Sequence, residues 1–407
     1  MSFDIALSGI QAINEQLNTT SNNIANAGTF GFKSSRANFS ALYAGTRASG
    51  VEVSSLSQSI GKAGGTVKTG NNLDAAINGR GFFVVKDTAG LSTYTRVGIF
   101  DTNATGQLVD ASGRLVQGYT VTPPSTALGA MGDLTVPTGQ IPAVASTTLD
   151  FQANLSAEWP IRSVEFAGPN KTVEPPTEPD KDSYNFLRTS TVYDSLGTAH
   201  TVTQYFIKTD TNTVGVAYAV DGQDAGRIDP GLTFLSNGKL DLADPANATR
   251  TLSFTPDGAD PVTLVIDYTG TTQYTGSPTE SVNRANGYAS GNFLGIELGT
   301  DGAVIAKYSN DERQVVGMLA LATFPSEASL TAVSDTSWIA STKSGTPLYA
   351  TPGTGMTGTL SRGSLENSNV DITSELVGLM TSQRNYQANS KVIQTESTML
   401  QSLMQAI

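Results

Sequence analysis

Apolar residues repeat every seven positions at both ends of the chain. Near the start, one series is Phe3, Ile10, Leu17 and Ile24, and a second lies three residues later at Ala6, Ile13, Thr20 and Ala27. Near the end, the series is Ile372, Leu379, Tyr386, Ile393, Leu400 and Ile407, joined by Leu376, Leu403 and Met404. This spacing places apolar side chains along one stripe of a helix. It predicts one helix over residues 3–27 and a longer one over residues 372–407, about 54 Å long at 1.5 Å per residue.

The two predicted helices have little apolar sequence beside them to cover their stripes. Residues 34–70 are rich in Ser, Gly, Ala and Thr. We therefore expect the helices to bury their stripes against each other or against other subunits, and to be largely disordered before assembly. An ordinary amphipathic helix packed on its own domain is the alternative for either stripe alone. Asn369 or Asp371 can cap the C-terminal helix, and Glu375 adds negative charge near its positive end.

Nearly everything between the helices has the pattern of strands and turns. Short apolar or alternating runs, such as residues 82–85 and 202–207, are separated by turn residues about every 8 to 12 positions, which is typical of sandwiches and barrels. We predict a mainly β fold with terminal helices and nested β domains. The predicted division is a helical core of residues 1–30 with 365–407, a connecting region of 31–75 with 350–364, an inner β domain of 76–148 with 286–349, and an inserted outer β domain of 149–285.

Composition excludes several classes of function. The chain has 24 Lys and Arg residues against 36 Asp and Glu residues, a net charge of −12, and no basic block, so nucleic acid is not an expected partner. It has no cysteine and a single histidine, so no metal or cofactor is expected. No apolar run is long enough to cross a bilayer, and the first residues lack a cleavable signal pattern. We expect no membrane insertion and, if the chain leaves the cytoplasm, export without a cleaved signal.

Several short segments match part of a catalytic or ligand-binding motif, but the surrounding sequence lacks the residues or elements that such a site needs. His200 lies in an alternating, strand-like segment and is not predicted to be catalytic. Residues 353–358 match GxGxxG, but no apolar strand precedes them and no helix pattern follows. Residues 101–112 begin like a calcium loop but end in Ser112, where a bidentate Glu is needed. A secreted β-rich hydrolase stays open as an alternative, and it requires acids clustered in a cleft around residues 194–267.

One segment at each end carries a specific motif. The first is an Asn-rich helix end followed by Gly-Phe-Lys, with a turn that Asn and Gly tolerate in a left-handed conformation and with Phe30 and Phe32 expected in an extended stretch. Its residues are Asn22, Asn23, Ile24, Ala25, Asn26, Gly28, Phe30, Gly31, Phe32 and Lys33. The second motif comprises Glu366, Ser368, Asn369, Val370, Asp371, Gln383 and Arg384. Together they resemble the two ends of the rod and hook axial proteins of the bacterial flagellum.

Two internal segments add to this resemblance. Residues 76–83 are similar to a segment shared by rod and hook proteins, and residues 193–200 resemble a stretch in the outer domain of the hook branch. Where that family often has Ser-Asn-Gly, this chain has Asp311 after Ser309 and Asn310, which puts only a turn type in doubt. The length of the insertion favours the hook branch. Another axial subunit, such as a distal rod protein, stays open as the alternative.

The resemblance implies a structural, non-enzymatic subunit that forms a curved, flexible helical tube, links rod to filament and transmits torque as a universal joint. It implies a location in the extracellular hook and, as partners, copies of the chain itself, the distal rod protein, the hook-capping scaffold protein, the hook-filament junction proteins and the flagellar type III export apparatus. Polar Gln383, Asn389 and Gln394 are expected to face the channel or bridge subunits. The residues predicted to drive polymerisation are Ile10, Ile13, Leu17, Ile24, Ile372, Leu376, Leu379, Tyr386, Ile393, Leu400 and Leu403.

Overall fold

The computed structural model describes residues 2–44, 47–123 and 126–405. Its helices are α1 (Ser2–Ala25), the short α2 (Pro245–Ala248) and α3 (Ile372–Gln405), with one 3₁₀ turn at Glu327–Ser329. Both predicted terminal helices are confirmed, within two residues of their predicted bounds. Ile407, the last position of the predicted C-terminal series, lies outside the described residues.

The described residues between the terminal helices form 27 strands. The first fourteen are β1 (Ser35–Ala44), β2 (Arg47–Gln58), β3 (Thr66–Lys68), β4 (Ala75–Asn78), β5 (Phe82–Lys86), β6 (Ser92–Thr95), β7 (Phe100–Thr102), β8 (Leu108–Asp110), β9 (Leu115–Thr120), β10 (Met131–Asp133), β11 (Thr148–Asn154), β12 (Phe186–Tyr193), β13 (Ala199–Asp210) and β14 (Thr213–Val220). The rest are β15 (Gln223–Thr233), β16 (Thr249–Phe254), β17 (Val262–Asp267), β18 (Thr279–Ala285), β19 (Phe293–Leu298), β20 (Ala303–Tyr308), β21 (Arg313–Leu319), β22 (Leu321–Thr323), β23 (Thr331–Val333), β24 (Ser337–Ile339), β25 (Leu348–Ala350), β26 (Thr359–Arg362) and β27 (Ser364–Glu366).

The chain forms two compact units, and the second is inserted into the sequence of the first. Unit 1 comprises residues 1–138, 294–307 and 313–407, and unit 2 comprises residues 139–293 and 308–312. This nested order of mainly β units with terminal helices confirms the predicted fold class. The finer division into four regions stays a prediction.

Unit 1 is built mainly from short antiparallel strands. Its main sheet has 13 strands, and its central path runs β19-β20-β21-β9-β5-β6-β24-β23. The apolar run of β5 is fully buried there, and Phe82 packs against Phe324 and Trp338 with ring centroids 6.1 and 5.6 Å apart. Two small ladders, β26 with β4 and β27 with β3, join the segment before α3 to residues 66–78. These ladders place the segment that leads into α3 beside the segment that follows the β1–β2 hairpin.

Unit 2 is a β-sandwich of two four-stranded sheets. Their orders are β16-β17-β11-β18 and β12-β13-β14-β15. One core takes buried side chains from both sheets, including Phe151 of the first and Phe206 of the second, whose rings stack 5.3 Å apart. The hydroxyls of Tyr218 and Tyr268 lie 2.8 Å apart within this core and satisfy each other. Alternating strand patterns with one buried face are what such a sandwich requires.

The exit from α1 differs in detail from its prediction. Residues 26–31 form a series of turns, and β1 begins only at Ser35. Phe30 therefore lies in a turn, so its prediction as part of an extended stretch is wrong; Phe32 follows the turns, and both rings are half-buried. Gly31 takes the left-handed conformation with φ of 70°, which lets its N–H reach the Glu366 carbonyl oxygen at 2.7 Å.

Candidate assembly site: the terminal helices and their junction

The two terminal helices of unit 1 pack against each other in antiparallel directions. Asn23, in the last turn of α1, donates from Nδ2 to Oε1 of Glu375, in the first turn of α3, at 2.9 Å. Near the other end of α1, Gly9 lies against Asn389, since a Cβ on Gly9 would be 3.2 Å from the Asn389 amide nitrogen. The residue numbers rise along one helix as they fall along the other, so the two helices are antiparallel. Their contacts extend on α1 at least from Gly9 to Asn23.

The face of α3 that meets α1 is a polar row. Glu375, Ser382 and Asn389 follow one another at seven-residue intervals, and the first and last of them contact α1. Among the described residues of α3, Ser382 alone is buried, and its Oγ has no hydrogen-bond partner. Leu379 and Ile393 flank this row and are half-buried. The helix pair is thus held in register by polar contacts and buries only part of the apolar side chains of α3.

Most of the apolar side chains of α3 stay exposed after this pairing. Leu376, Val392 and Met399 have 46%, 46% and 64% of their surface exposed. The other large apolar residues of α3 with at least a third of their surface exposed are Ile372, Val377, Met380, Tyr386, Leu400, Leu403 and Met404. So many exposed apolar groups on one helix, on the sides that α1 leaves uncovered, are typical of an interaction surface.

The C-terminal end of α3 extends beyond the start of α1. Because Gly9 is level with Asn389, the first residue of α1, Ser2, is level with about residue 396. The remaining residues 397–405 continue as helix for roughly 14 Å past the end of α1. Leu403 and Met404 in this overhang are 60% and 76% exposed.

The predicted polymerisation residues therefore divide into two groups. Those that are half-buried within the subunit are Ile10, Ile13, Leu17, Ile24, Leu379 and Ile393. Those that remain exposed are Ile372, Leu376, Tyr386, Leu400 and Leu403. Of the polar residues expected at the channel, Gln383 and Gln394 are exposed, whereas Asn389 lies against Gly9 of the same chain.

The hairpin of β1 and β2 covers part of α1, which corrects one expectation from the sequence. The Val51 amide donates to Ser8 Oγ at 3.2 Å, and Ala37 is buried. Residues 34–70 therefore do supply cover, because an extended hairpin brings small residues close to a helix even when its sequence is not strongly apolar. The hairpin keeps exposed apolar side chains of its own, among them Tyr43 and Leu56.

A compact junction holds α1, β1 and the start of α3 together; it comprises residues 31–35, 59–68 and 363–371. Asn23, 1% exposed, binds into it: its Oδ1 accepts from the Ser35 amide at 2.9 Å and its Nδ2 donates to the Ser35 carbonyl at 2.8 Å. Asn369 acts similarly, accepting from the Ser34 amide at 2.7 Å and donating to the carbonyls of Ser59 and Lys62. Each Asn side chain replaces backbone partners that an irregular segment lacks.

Three charged side chains that are almost completely buried meet at the junction: Lys33 and Glu366 belong to it, and Arg96 reaches it from the residue after β6. Lys33 Nζ lies 2.6 Å from Oε1 of Glu366, and Arg96 Nη1 lies 3.3 Å from Oε2 of the same carboxylate. Lys33 also donates to the Lys62 carbonyl at 2.8 Å, and the Gly64 amide donates to Glu366 Oε1 at 3.0 Å. Burial lowers the pKa of Lys33, although Glu366 opposes this effect. The last residue of one sequence motif thus pairs with the first residue of the other.

The remaining motif residues lie around this junction or on α3. Asn26 donates to the Asn22 side chain at 2.9 Å and closes the end of α1, and Asp371 caps α3 by accepting from the amides of Thr373 and Ser374. The motif residues that are half-buried here are Ile24, Phe30, Phe32, Ser368 and Val370, and those that are exposed are Ala25, Gly28, Gln383 and Arg384. Sequence reasoning missed Arg96, because nothing around it indicates a partner 270 residues away.

Unit 2 contains a polar cleft of about 650 Å³ in which the acids of the hydrolase alternative do cluster. His200 Nδ1 lies 2.7 Å from Asp221 Oδ2, and its Nε2 lies 3.3 Å from Asp194 Oδ2. With both ring nitrogens engaged, His200 has no nitrogen free to take a proton from a nucleophile. Among the described residues, no three His, Cys, Asp or Glu side chains are grouped so that they could hold a metal ion. No described helix is long and apolar enough to span a bilayer.

Four family models match separate parts of the chain, which together make up more than two thirds of its residues. Residues 3–33 match the flagella basal body rod protein model, and residues 361–406 match the C-terminal model of flagellar basal body rod FlgEFG proteins. Residues 76–151 match the flagellar hook protein FlgE/F/G D1 domain, and residues 154–288 match the flagellar basal body protein FlaE D2 domain. These matches, together with the paired terminal helices, define the class as an axial protein of the bacterial flagellum.

Full-length relatives narrow the class further. The flagellar hook protein FlgE of Salmonella typhimurium strain LT2 is 37% identical over 414 residues, which cover 99% of each chain. The FlgE proteins of Escherichia coli K12 and Treponema pallidum are 36% and 29% identical, over 99% and 98% of this chain and 99% and 97% of theirs. The chain therefore belongs to the flagellar hook protein FlgE family.

A solved structure agrees with the fold. The crystal structure of Helicobacter pylori flagellar hook protein FlgE2 matches with a TM-score of 0.51 at 13% identity, over 72% of this chain and 98% of that one. At that identity the likeness concerns the fold alone, and it supports the mainly β architecture described above.

Proposed function

We propose that this chain polymerises through its terminal helices into the tubular hook of the bacterial flagellum. The observation that carries the proposal is the exposed apolar face of α3, which remains after α1 has packed against the polar row. A helix of 34 residues that buries so little within its own subunit needs another surface for stability. Membership of the hook protein family makes a second copy of the chain the natural source of that surface.

The energetics favour assembly once several side chains are covered together. Burying a Leu, Met or Ile side chain contributes about 1.5–3 kcal/mol. Leu376, Leu400 and Leu403 alone thus supply several kcal/mol per subunit, which offsets part of the entropy lost on docking. Because the same contact repeats along a helical polymer, each subunit is held on more than one side.

We further propose that the tube is curved and flexible and transmits torque as a universal joint. Unit 2 forms its own sandwich with its own core, which suits an outer domain that shifts while the helical core of the tube stays packed. Its surface, like that of the whole chain, is poor in charge, since only 15% of residues are charged. Few strong ion pairs would then have to break when outer domains slide past one another.

The proposed partners follow from the place of a hook between rod and filament. They are the distal rod protein, the hook-capping scaffold protein, the hook-filament junction proteins and the flagellar type III export apparatus, which would take the chain without a cleaved signal. We also propose that the chain is not an enzyme, since the His200 imidazole in the acidic cleft is fully hydrogen-bonded to carboxylates.

Charge introduced into the overhang of α3 tests the proposal. The double variant Leu400→Glu with Leu403→Glu places carboxylates on the exposed apolar face, whereas Gln401→Glu adds one on the same turn of helix at a polar position. We expect the double variant to remain a folded monomer that forms no tubes by electron microscopy, and the control to form tubes. Normal tubes from the double variant would contradict assembly through this face.

A further inference from the structure

We propose that Lys33, Arg96 and Glu366 form an interlock that lets the junction close only when the segment before α3 is in place. The inference rests on the proposed function and concerns the regulation of the same assembly site. All three side chains belong to unit 1, and their exposed fractions are 0%, 3% and 1%. They link the exit from α1, the inner β-strands and the entry to α3.

Charge in this cluster is unbalanced, so Glu366 has no substitute. Two cations share one carboxylate, Lys33 on Oε1 and Arg96 on Oε2. Arg96 has little other support: its guanidinium lies 5.1 Å from the centre of the Phe82 ring, and its buried Nε has no hydrogen-bond partner. Without Glu366 the junction would hold two buried cations that have lost the carboxylate they both contact, which is far more costly than a buried pair. Glu327 also attracts both cations, but it acts at longer range and is itself paired with Arg80 at 2.9 Å.

Glu366 also organises the backbone on both sides of the cluster. Its Oε1 accepts from the Gly64 amide, its carbonyl accepts from the Gly31 amide, and the next residue, Asn367, donates to the Gly65 carbonyl at 2.7 Å. β27, which ends at Glu366, pairs with β3 in the register Glu366 to Thr66. The N-terminal part of the junction is therefore folded around a residue that lies 333 positions after Lys33.

Formation of the Lys33, Arg96 and Glu366 cluster positions both terminal helices at the same time. Closing the cluster fixes the segment that leaves α1, and only four residues lie between Glu366 and Asp371, the cap of α3. A chain whose C-terminal part has not yet arrived keeps Lys33 and Arg96 hydrated and the junction open. It then cannot present α1 and α3 as an antiparallel pair, so an incomplete subunit is not added to a tube.

The order of effects among charge variants tests the interlock in the full-length chain. Glu366→Gln leaves two unpaired cations, whereas Lys33→Met leaves a balanced Arg96 and Glu366 pair. The Lys62 carbonyl keeps a donor in Lys33→Met, because Asn369 also binds it at 2.9 Å. The double variant Lys33→Met with Glu366→Gln retains one unpaired cation, so a charge mechanism predicts that it recovers part of the loss. A purely steric role predicts that the two changes add.

Amide exchange at residues 31–35 and 59–68, read by mass spectrometry, is the measurement. We expect exchange in Glu366→Gln to be on the order of a hundredfold faster than in the unmodified chain, with a much smaller change in Lys33→Met and an intermediate one in the double variant. Unchanged exchange in β20 and β21 of unit 1, and in β13 and β14 of unit 2, shows that the chain has otherwise folded. Equal exchange in Glu366→Gln and Lys33→Met, or none faster than the unmodified chain, would overturn the interlock.

Tube formation separates this inference from the proposed function. If Glu366→Gln opens the junction and its tubes are lost while Lys33→Met still forms them, the interlock controls assembly. If the open variant forms tubes as fast as the unmodified chain, the interlock does not control assembly. If the unmodified chain forms no tubes but its junction opens in Glu366→Gln, the proposed function fails and the coupled closing of the junction stands.

Discussion

Asn23 of α1 and Glu375 of α3 are joined by a hydrogen bond of 2.9 Å, although they are 352 positions apart in the sequence. The same Asn23 side chain binds both backbone groups of Ser35. One buried amide therefore ties the end of the first helix, the start of the hairpin and the beginning of the last helix. The two terminal helices are therefore connected within a single subunit.

Replacing Asn23 with alanine should loosen this connection. The Ser35 amide and carbonyl lose their partners, and leaving buried polar groups unpaired costs about 2 kcal/mol in the free energy of unfolding. Denaturant unfolding of the two variants Asn23→Ala and Asn18→Ala measures the difference, since Asn18 is an exposed residue of the same helix. A loss in Asn23→Ala no greater than in Asn18→Ala would show that this contact does not stabilise the junction.

Two neighbouring glycines in the junction offer a matched steric test. A Cβ at Gly64 would collide with the backbone oxygen of Asn367, whereas a Cβ at Gly65 would meet nothing within 4 Å. We expect Gly64→Ala to lower the free energy of unfolding by about 1–3 kcal/mol, and Gly65→Ala to be neutral or stabilising by less than about 1 kcal/mol. Thermal unfolding checks both, and similar melting temperatures for the two would contradict the close approach of residues 64 and 367.

His200 should titrate above its ordinary pKa. Burial favours the neutral imidazole, but hydrogen bonds and charge from Asp221 and Asp194 outweigh it and raise the pKa of His200 above 6.5. The stabilisation is fully present below pH 6.5 and is lost as the pH rises through the raised pKa. Since the chain has a single histidine, one imidazole resonance in an NMR titration reports this pKa directly. Asp221→Asn should lower it, and a wild-type value at or below 6.5 would contradict the geometry.

Most of unit 2 can be removed at a point where two of its strands, β11 and β18, pair. Leu149 of β11 and Ala285 of β18 are register partners, so a short linker can replace the residues between them. Unit 1 should still fold, because the aromatic cluster around Phe82 takes no residue from unit 2. We expect such a chain to form tubes of altered curvature or stiffness by electron microscopy. Tubes of native shape and flexibility would contradict a mechanical role for the outer domain.

Much of the architecture could be predicted from the sequence, because it follows from local periodicity. The heptads gave α1 and α3, and alternation with turn residues gave the strands of both units. The orientation of the helices could not be predicted in the same way. The apolar seven-residue series of α3, which includes Leu379 and Ile393, lies beside the contact with α1. The neighbouring polar row, with Ser382 at its centre, faces α1 directly.

The junction shows where sequence reasoning stops. Lys33 and Glu366 were singled out by the motifs around them, but their pairing depends on how distant strands meet. Arg96 has no local pattern at all, since its role arises only because β6 ends beside the cluster. Similarly, Asp221 reaches His200 only because β13 and β14 pair, with Val202 opposite Val220.

Amide exchange on α1 and α3, compared between soluble monomer and assembled tubes, shows whether the exposed apolar side chains of the terminal helices drive assembly. We expect fast exchange over residues 372–405 in the monomer, slower exchange over residues 2–25 where the hairpin gives cover, and strong protection of both in tubes. The β-strands of units 1 and 2 should be protected in both samples and serve as the internal reference. Terminal helices protected as strongly as those strands in a stable monomer would contradict assembly driven by their exposed faces.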